Sequence, residues 1–262
     1  FENTLGSVFV ENNLSATRTI NDASLSFNGV TYTGIMQNRS RLNTSGDNVV
    51  SGGVLKNTGL INVDGGSLTL KDGLDNASVI LNSGVLTIAG TSSNSGFISG
   101  DITVGDGSDS TFSNNGYVMG KTTISANAAV ESSLDTLNDI EISAGGVLNI
   151  TDDSILRHNI TGAGETVVGH NLLIGQGSLS ATGVLTVNRG AMIDLEDRVV
   201  TVGTLNLKGV LNVDVTSIAA NSSAYAGGGI IVNDSAVIDA DSVLKITIAS
   251  DLLKKGEQNG EL

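Results

Sequence analysis

Few side chains in this chain could do acid-base or nucleophilic chemistry, and they are scattered along it. The two imidazoles, His158 and His170, are the side chains that exchange protons most readily near neutral pH. A serine hydrolase would place one of them beside a nucleophilic serine, and the best serine is Ser178 in the string Gly-Gln-Gly-Ser-Leu. That string lacks the second glycine of a Gly-x-Ser-x-Gly elbow. We therefore expect all three to be polar corner residues and predict no catalytic triad.

Two carboxylates offer a second chemistry, the hydrolysis of a glycosidic bond. Asp194 and Glu196 are two positions apart, so they share a face if their segment is a strand. Such a pair could act as the acid and base of a glycosidase, but only 3% of the residues are aromatic and few are basic, whereas sugar-binding grooves use both. We expect a solvated strand face and predict that the chain is not an enzyme; a carbohydrate-active β-helix enzyme is the alternative.

The chain has no strong metal-binding motif. It contains no cysteine, which excludes disulfides and thiolate ligands. Asp106-Gly107-Ser108-Asp109-Ser110 matches an Asp-x-Ser-x-Ser cation-binding pattern, but that pattern works in a doubly wound fold whose helices are missing from this sequence. We expect a polar corner whose oxygen atoms could hold calcium only adventitiously. No catalytic, cofactor-binding or metal-binding residue is predicted, and no cofactor.

The acidic balance of the chain argues against a nucleic-acid partner. Thirteen Lys and Arg residues stand against 27 Asp and Glu residues, which gives a formal net charge of -14. Nucleic-acid phosphates are bound by clustered cations, and the nearest approaches to a cluster are Arg39 with Arg41 and Lys254 with Lys255. We expect both pairs to be solvated surface.

A five-residue cassette indicates the element that holds these residues. A glycine is followed by a small or branched residue, a leucine, a short polar residue and an apolar residue. This pattern is typical of a turn followed by a strand whose alternate side chains face one core. Copies begin at Gly66, Gly84, Gly146, Gly183 and Gly209. A further copy at Gly203 is only 6 positions before Gly209 (209 minus 203), so copies also mark different sides of one coil.

A second motif fixes the length of the repeat. Asn-x-Gly followed by two apolar residues occurs at Gly59, Gly96 and Gly116, and the last two glycines are 20 positions apart (116 minus 96). The first two cassettes are 18 apart (84 minus 66). A coil of 18–20 residues has room for three short strands, but not for a strand with a crossover helix. With no proline and few aromatic residues, the sequence predicts an all-β, single-stranded parallel β-helix, or β-solenoid.

The periodic part occupies residues 49–250, and the flanking segments are predicted to differ. Residues 1–48 are expected to form an irregular N-terminal cap or the first coils, because the end of a stacked array must cover the core. Within them Val8-Phe9-Val10 is predicted as a strand, and Asn28-Gly29 as the turn of a hairpin. Residues 251–262 are predicted as a truncated continuation or linker, beginning with one helical turn over 251–256.

The Asn-x-Gly-apolar-Ile strings and the Gly-Val-Leu-Thr/Asn-Ile/Val cassettes lie in an acidic chain rich in Asn, Ser, Thr and Gly. With these motifs, residues 49–248 resemble the passenger domains of autotransporters, the type V secreted proteins of Gram-negative bacteria. Similar degenerate repeats occur in exoproteins of two-partner secretion. The resemblance implies a right-handed parallel β-helix at the cell surface, commonly an adhesin or aggregation factor.

The function implied by the resemblance is that of a structural, adhesive rod, which mediates cell-cell or cell-host attachment through multivalent contacts outside a Gram-negative cell. Implied partners are a host or bacterial surface protein or glycan, or a second copy of the chain. No membrane insertion of this segment is expected; a membrane β-barrel is expected elsewhere in the full-length protein. Because the chain begins at Phe1 without a leader, we interpret it as a processed product or fragment. A self-assembling extracellular filament is a further alternative.

The asparagines that precede the motif glycines predict a ladder of side-chain amides. Asn57, Asn94 and Asn114 stand at equivalent corners of different coils, where amides can hydrogen-bond along a stack. Asn114→Ala is therefore expected to lower the midpoint of thermal unfolding more than the same change at an unmatched asparagine such as Asn221. Equal shifts in a melting experiment would contradict the ladder.

Overall fold

The computed structural model of this protein describes residues 1–218 and 225–248. Within them the fold is all-β, with about 11 stacked parallel coils, and it is the β-solenoid that the sequence predicts. The chain divides into two compact units, Phe1–Leu148 and a second that begins at Asn149. The helical turn predicted over 251–256, the rest of segment 251–262, Asn221 and the pair Lys254 and Lys255 lie outside the described residues.

Each full coil of the first unit adds one strand to each of three parallel ladders. Ladder I contains Asp47–Ser51, Ser67–Leu70, Val85–Ile88, Ile102–Val104, Thr122–Ile124 and Ile140–Ile142. Ladder II contains Leu55–Asn57, Leu74–Asn76, Thr91–Asn94, Ser110–Asn114 and Ala128–Ser132. Ladder III contains Ser7–Glu11, Ser24–Asn28, Arg41–Ser45, Leu60–Val63, Val79–Asn82, Phe97–Ser99 and Tyr117–Val118.

Residues 1–48 take part in the same ladders. Glu2–Asn3 begins ladder II, while Leu14–Asn21 and Thr31–Asn38 are long strands that run through both ladder I and ladder II. The predicted strand at Val8-Phe9-Val10 is confirmed as part of Ser7–Glu11.

The hairpin predicted at Asn28-Gly29 is wrong. The strand before it, Ser24–Asn28, pairs in parallel with the strands of the neighbouring coils in ladder III. The strand after it, Thr31–Asn38, pairs in parallel within ladders I and II. Gly29 has a positive φ of 65° and its N–H donates to Ser45 O at 3.1 Å. It turns a corner between two ladders, so its backbone is paired with the next coil rather than with its neighbour in sequence.

The second unit is built from the same kinds of strand. One ladder contains Ser154–Leu156, Asn171–Ile174, Met192–Asp194, Val210–Ile218 and Val243–Ile248. Two further parallel pairs are Ile160–Gly162 with Leu179–Ala181 and Glu165–Val168 with Val184–Val187. The second strand of each pair also pairs with the long strand Val199–Leu207, which in turn pairs with Gly229–Ile238. Tyr225–Gly227 pairs antiparallel with Val210–Ile218.

Two elements complete the described part of the chain. Val147–Ile150 is a strand that contains the residues on both sides of the boundary between the units. Leu134–Thr136 is a short 3-10 turn, and the described residues contain no α-helix. The cassette at Gly203 lies inside Val199–Leu207, and the one at Gly209 leads into Val210–Ile218. These strands belong to different ladders, which confirms that cassettes mark different sides of a coil.

The alternation in each cassette decides which side chains form the core. In the cassette at Gly84, Leu86 and Ile88 are fully buried, while Thr87 between them is directed outward and remains partly exposed. Equivalent aliphatic residues stack directly above one another because the strands are parallel and in register. Burial of each such side chain stabilises the fold by about 1.5–3 kcal/mol. Leucine, isoleucine and valine therefore fill a narrow core, and large rings are few.

A continuous ladder of buried asparagine amides runs inside the first unit. Each Nδ2 group donates to the Oδ1 atom of the equivalent asparagine in the next coil, at distances of 2.7–2.9 Å. The members are Asn3, Asn21, Asn38, Asn57, Asn76, Asn94 and Asn114, and successive members are 17–20 residues apart. All are at most 3% exposed. The ladder predicted at Asn57, Asn94 and Asn114 is confirmed, with four further members.

The same asparagines also form the corner between ladder II and ladder III. Asn94 Oδ1 accepts a hydrogen bond from the N–H of Gly96 at 3.2 Å, while its Nδ2 group reaches Asn114 at 2.8 Å. Asn114, the last member, donates to Ser132 Oγ at 3.1 Å and to Thr136 Oγ1 at 3.0 Å. An unpaired buried polar group costs about 1–3 kcal/mol of folding free energy. Loss of one amide leaves its neighbours in the ladder with such an unpaired group.

Asn115 replaces Asn221 as the control for Asn114→Ala, because it is adjacent to Asn114 and exposed.

The glycine of the Asn-x-Gly motif is required by close contact between coils. A Cβ atom on Gly59, Gly96 or Gly116 would overlap a backbone carbonyl oxygen of the preceding coil: that of Ser40, Ser78 and Gly96, respectively. None of the three glycines has a positive φ. The requirement is therefore for space and not for an unusual backbone conformation.

Gly96→Ala should destabilise the first unit severely. The added methyl group must push two coils apart, and we expect a loss of about 3 kcal/mol or more in the free energy of unfolding, measured by urea denaturation. Gly229→Ala is the matched control, because Gly229 lies in a strand, has an ordinary φ and has open space where the methyl group would go. A loss at Gly96 no larger than at Gly229 would show that the coils can separate freely.

Candidate functional site

The residues considered for nucleophilic catalysis lie on the surface, and the serine is hydrogen-bonded to an amide. His158 and His170 are both exposed. Ser178 is exposed as well, and its hydroxyl donates to Asn159 Oδ1 at 2.7 Å instead of to a histidine. These residues have the polar surface placement that the sequence predicts for them.

The prediction that Asp194 and Glu196 share a strand face is wrong. The strand Met192–Asp194 ends before Glu196, which lies in a turn with a positive φ of 48°. Asp194 Oδ1 accepts a hydrogen bond from the N–H of Glu196 at 3.1 Å. An aspartate that caps the strand end in this way favours a turn, and the turn breaks the alternation that would have aligned the two carboxylates.

The Asp106–Ser110 segment is a polar corner whose first carboxylate already has partners. Asp106 Oδ1 accepts hydrogen bonds from Ser108 Oγ at 2.6 Å and from Ser108 N at 3.3 Å, and Oδ2 is 3.1 Å from Lys71 Nζ. Among residues 1–218 and 225–248, no three His, Cys, Asp or Glu residues come together as a potential metal site. The contacts of Asp106 are those of a structural turn.

An apolar surface of the first unit lies on the outer face of ladder III. One row is formed by residues in direct register, Leu60, Val79, Phe97 and Tyr117. Leu81 and Met119 extend it sideways. Tyr117, Met119 and Leu81 are 59%, 59% and 40% exposed, whereas Leu60, Val79 and Phe97 are half-buried. We call these six residues the apolar stripe: Leu60, Val79, Leu81, Phe97, Tyr117 and Met119. The stripe includes two of the chain's eight aromatic residues (5 Phe plus 3 Tyr).

One end of the apolar stripe is cationic. Arg41 is in register with Leu60 one coil further along, and it is exposed. Its Nε donates to Asn43 Oδ1 at 2.8 Å. Arg39 lies nearby in the corner and forms an ion pair with Asp22 at 3.7 Å. Arg39 and Arg41 are on the surface as predicted, and together they form the cationic end of the stripe.

The other end of the apolar stripe is acidic. Val118 forms an isolated parallel bridge with Leu137, so the segment around Leu137 continues ladder III by one coil beyond Tyr117. Asp135 and Asp139 flank Leu137 and are exposed. Thr136 and Asn138 continue the rows of Tyr117 and Met119 in this coil. The two carboxylates lie one residue outside these positions and form the acidic end.

The adjacent ladder I presents a different outer surface. The row in the corresponding coils consists of threonines that are directly in register. These residues are Thr69, Thr87, Thr103 and Thr123. Threonine is a common residue on half-exposed strands, so this row is what β-structure alone would produce. A row of large apolar side chains that face solvent is less usual, and it marks a candidate interaction surface.

Sequence reasoning missed the apolar stripe, although the motif contains its signal. In Asn-x-Gly-apolar-apolar, strand alternation allows only one of the two apolar residues to enter the core. Ile61, Ile98 and Val118 are buried, which leaves the residue before each of them outside. Consecutive apolar residues in a strand with one buried face therefore indicate an apolar row on the outer face.

Three comparisons, with protein-family models, with curated proteins and with solved structures, found no match to this chain. No described helix has the length and apolar character to cross a membrane.

Removal of the Asp106 carboxylate should reduce stability in a pH-dependent way. The hydrogen bonds from Ser108, assisted by Lys71, hold the pKa of Asp106 below its ordinary value of 3.8. The stabilisation is therefore present above that value and is lost as the pH falls through the lower pKa of the folded state. Asp106→Asn should lower the free energy of unfolding at pH 7 by up to about 1 kcal/mol. The difference should vanish in acid.

Urea unfolding at several pH values measures this difference. Asp109→Asn is the control, because Asp109 is an exposed carboxylate in the same corner without a hydrogen bond among the described residues. A difference for Asp106→Asn that persists below the folded-state pKa would contradict the assignment.

Proposed function

We propose that this chain is a structural, adhesive segment of a surface-exposed or secreted bacterial protein of the autotransporter type. It attaches cells to one another or to a host surface through many weak contacts. The observation that carries this proposal is the apolar stripe, a row of large, half-buried to exposed side chains held in register over successive coils. The proposed location is the exterior of a Gram-negative cell, and the motif resemblance described above supports it.

The solenoid supports an adhesive function through repetition. Each coil places its outward residues directly above the equivalent residues of the coil below, about 4.8 Å away. A partner that binds one coil weakly is then offered further contacts by adjacent coils and by neighbouring chains. Contacts joined in this way strengthen one another by effective concentration. An adhesin built in this way requires no deep pocket and no catalytic group.

Adhesion can be measured with beads that carry the purified chain. We expect retention on glycan, matrix-protein or bacterial-cell surfaces to rise more steeply than linearly with the density of chains on the bead, because attachment is multivalent. Beads coated with an unrelated protein of similar negative charge are the control for non-specific retention. Retention no greater than that control, on every surface and at every density, would overturn the proposed attachment function.

A further inference from the structure

We propose that the apolar stripe is a contact between two copies of this chain, related by a two-fold axis. The inference rests on the proposed function and names the partner of one attachment surface. It starts from the order of the side chains along ladder III, in which the cationic end, the apolar stripe and the acidic end follow one another over six successive coils.

This order is self-complementary. A two-fold contact requires that the same surface on both copies match itself when one copy is turned around. Let the axis run parallel to the strands, between the coil of Val79 and the coil of Phe97. Ladder III of one copy then faces ladder III of the other with the coils stacked in opposite order. Leu60 of one copy faces Tyr117 of the other. The cationic end of each copy meets the acidic end of its partner.

The match holds coil by coil. Arg41 lies one coil before Leu60, and the bridge to Leu137 lies one coil after Tyr117. The charged ends are therefore equally far from the axis, and both ion-pair regions form at once. A parallel arrangement of the two faces would instead place like charges together.

The net negative charge of the chain favours this orientation over others. Each copy carries a formal charge of -14, so two copies repel one another in most orientations. The two arginines at the cationic end offer a local attraction to carboxylates, and the apolar side chains between the ends gain from leaving water. A neutral glycan would use the apolar side chains but would gain nothing from the charge of either end. A second copy uses all three parts of the surface.

The size of the surface predicts a weak contact. Six coils span about 24 Å, and two outward rows give a face on the order of 400 Å² per copy. A standard stable interface buries about 800 Å² per partner, so this contact belongs with weak, transient complexes. Chains crowded on one surface would still associate, because neighbouring contacts act together.

Sedimentation velocity of the full chain, from about 10 μM to about 1 mM, tests the proposal. The unchanged chain should shift from monomer to dimer as concentration rises. The double variant F97S/Y117S should weaken the dimer about tenfold or more. R39E/R41E and D135R/D139R should each weaken it to a similar extent, since each places like charges together. K56E, a charge reversal on the exposed Lys56 of ladder II, is the matched control and should leave the dimer unchanged.

The decisive sample is an equimolar mixture of R39E/R41E with D135R/D139R. In a mixed dimer each reversed end meets an opposite charge, so the mixture should dimerise to within about threefold of the unchanged chain, although neither variant does so alone. Thermal melts confirm that the variants are folded. If D135R/D139R does not fold, D139R replaces it.

Two outcomes would overturn the two-fold contact: an unchanged chain that stays monomeric at every concentration, or a folded mixture that fails to recover association. Neither affects the bead assay on foreign surfaces, which judges the adhesive function separately. Conversely, recovery in the mixture together with no bead retention would leave the contact between copies standing and remove attachment to other surfaces.

Discussion

The first unit depends on one kind of corner. There, an asparagine amide links its coil to the next while its carbonyl oxygen holds the turn, as Asn94 does with Asn114 and Gly96. The glycine then lies so close to the backbone of the preceding coil that no side chain fits. These contacts set the spacing of the coils and their rotational alignment together. The aliphatic core can stack residue upon residue only because the corner has already fixed the register.

The same register gives the outer surface its order. Most inward positions of the first unit belong to the aliphatic core or to the amide ladder, so the outward positions have more freedom to differ between coils. Parallel, in-register pairing stacks each outward position on the equivalent position of the next coil. A row of similar side chains therefore forms wherever successive coils carry the same kind of residue. Ladder I carries a threonine row and ladder III an apolar one. In the first unit, the inward residues thus stabilise the fold, while the outward residues determine the surface.

Local patterns in the sequence were sufficient for the architecture but not for its long-range pairings. The cassettes and the Asn-x-Gly motifs predict the coil, its length and three members of the ladder. Asn76 was missed because Ser78 stands where the motif has glycine. The Asn28-Gly29 hairpin failed because a turn signal contains no information about strands a full coil away. The opposed charges beside the stripe belong to coils far apart in sequence, and their alignment is visible only once the register is known.

The composition of the interior has a consequence for the environments in which the protein can work. Apart from the Tyr32 hydroxyl, the buried polar side chains of the described residues are those of asparagine, serine and threonine, and none of them carries a charge. Acidification and changes in ionic strength therefore leave the internal amide ladder unaltered. Surface contacts that use arginine and carboxylate groups remain sensitive to both. A change in pH or salt therefore acts first on the charged surface of the first unit, and the uncharged ladder inside it keeps its hydrogen bonds.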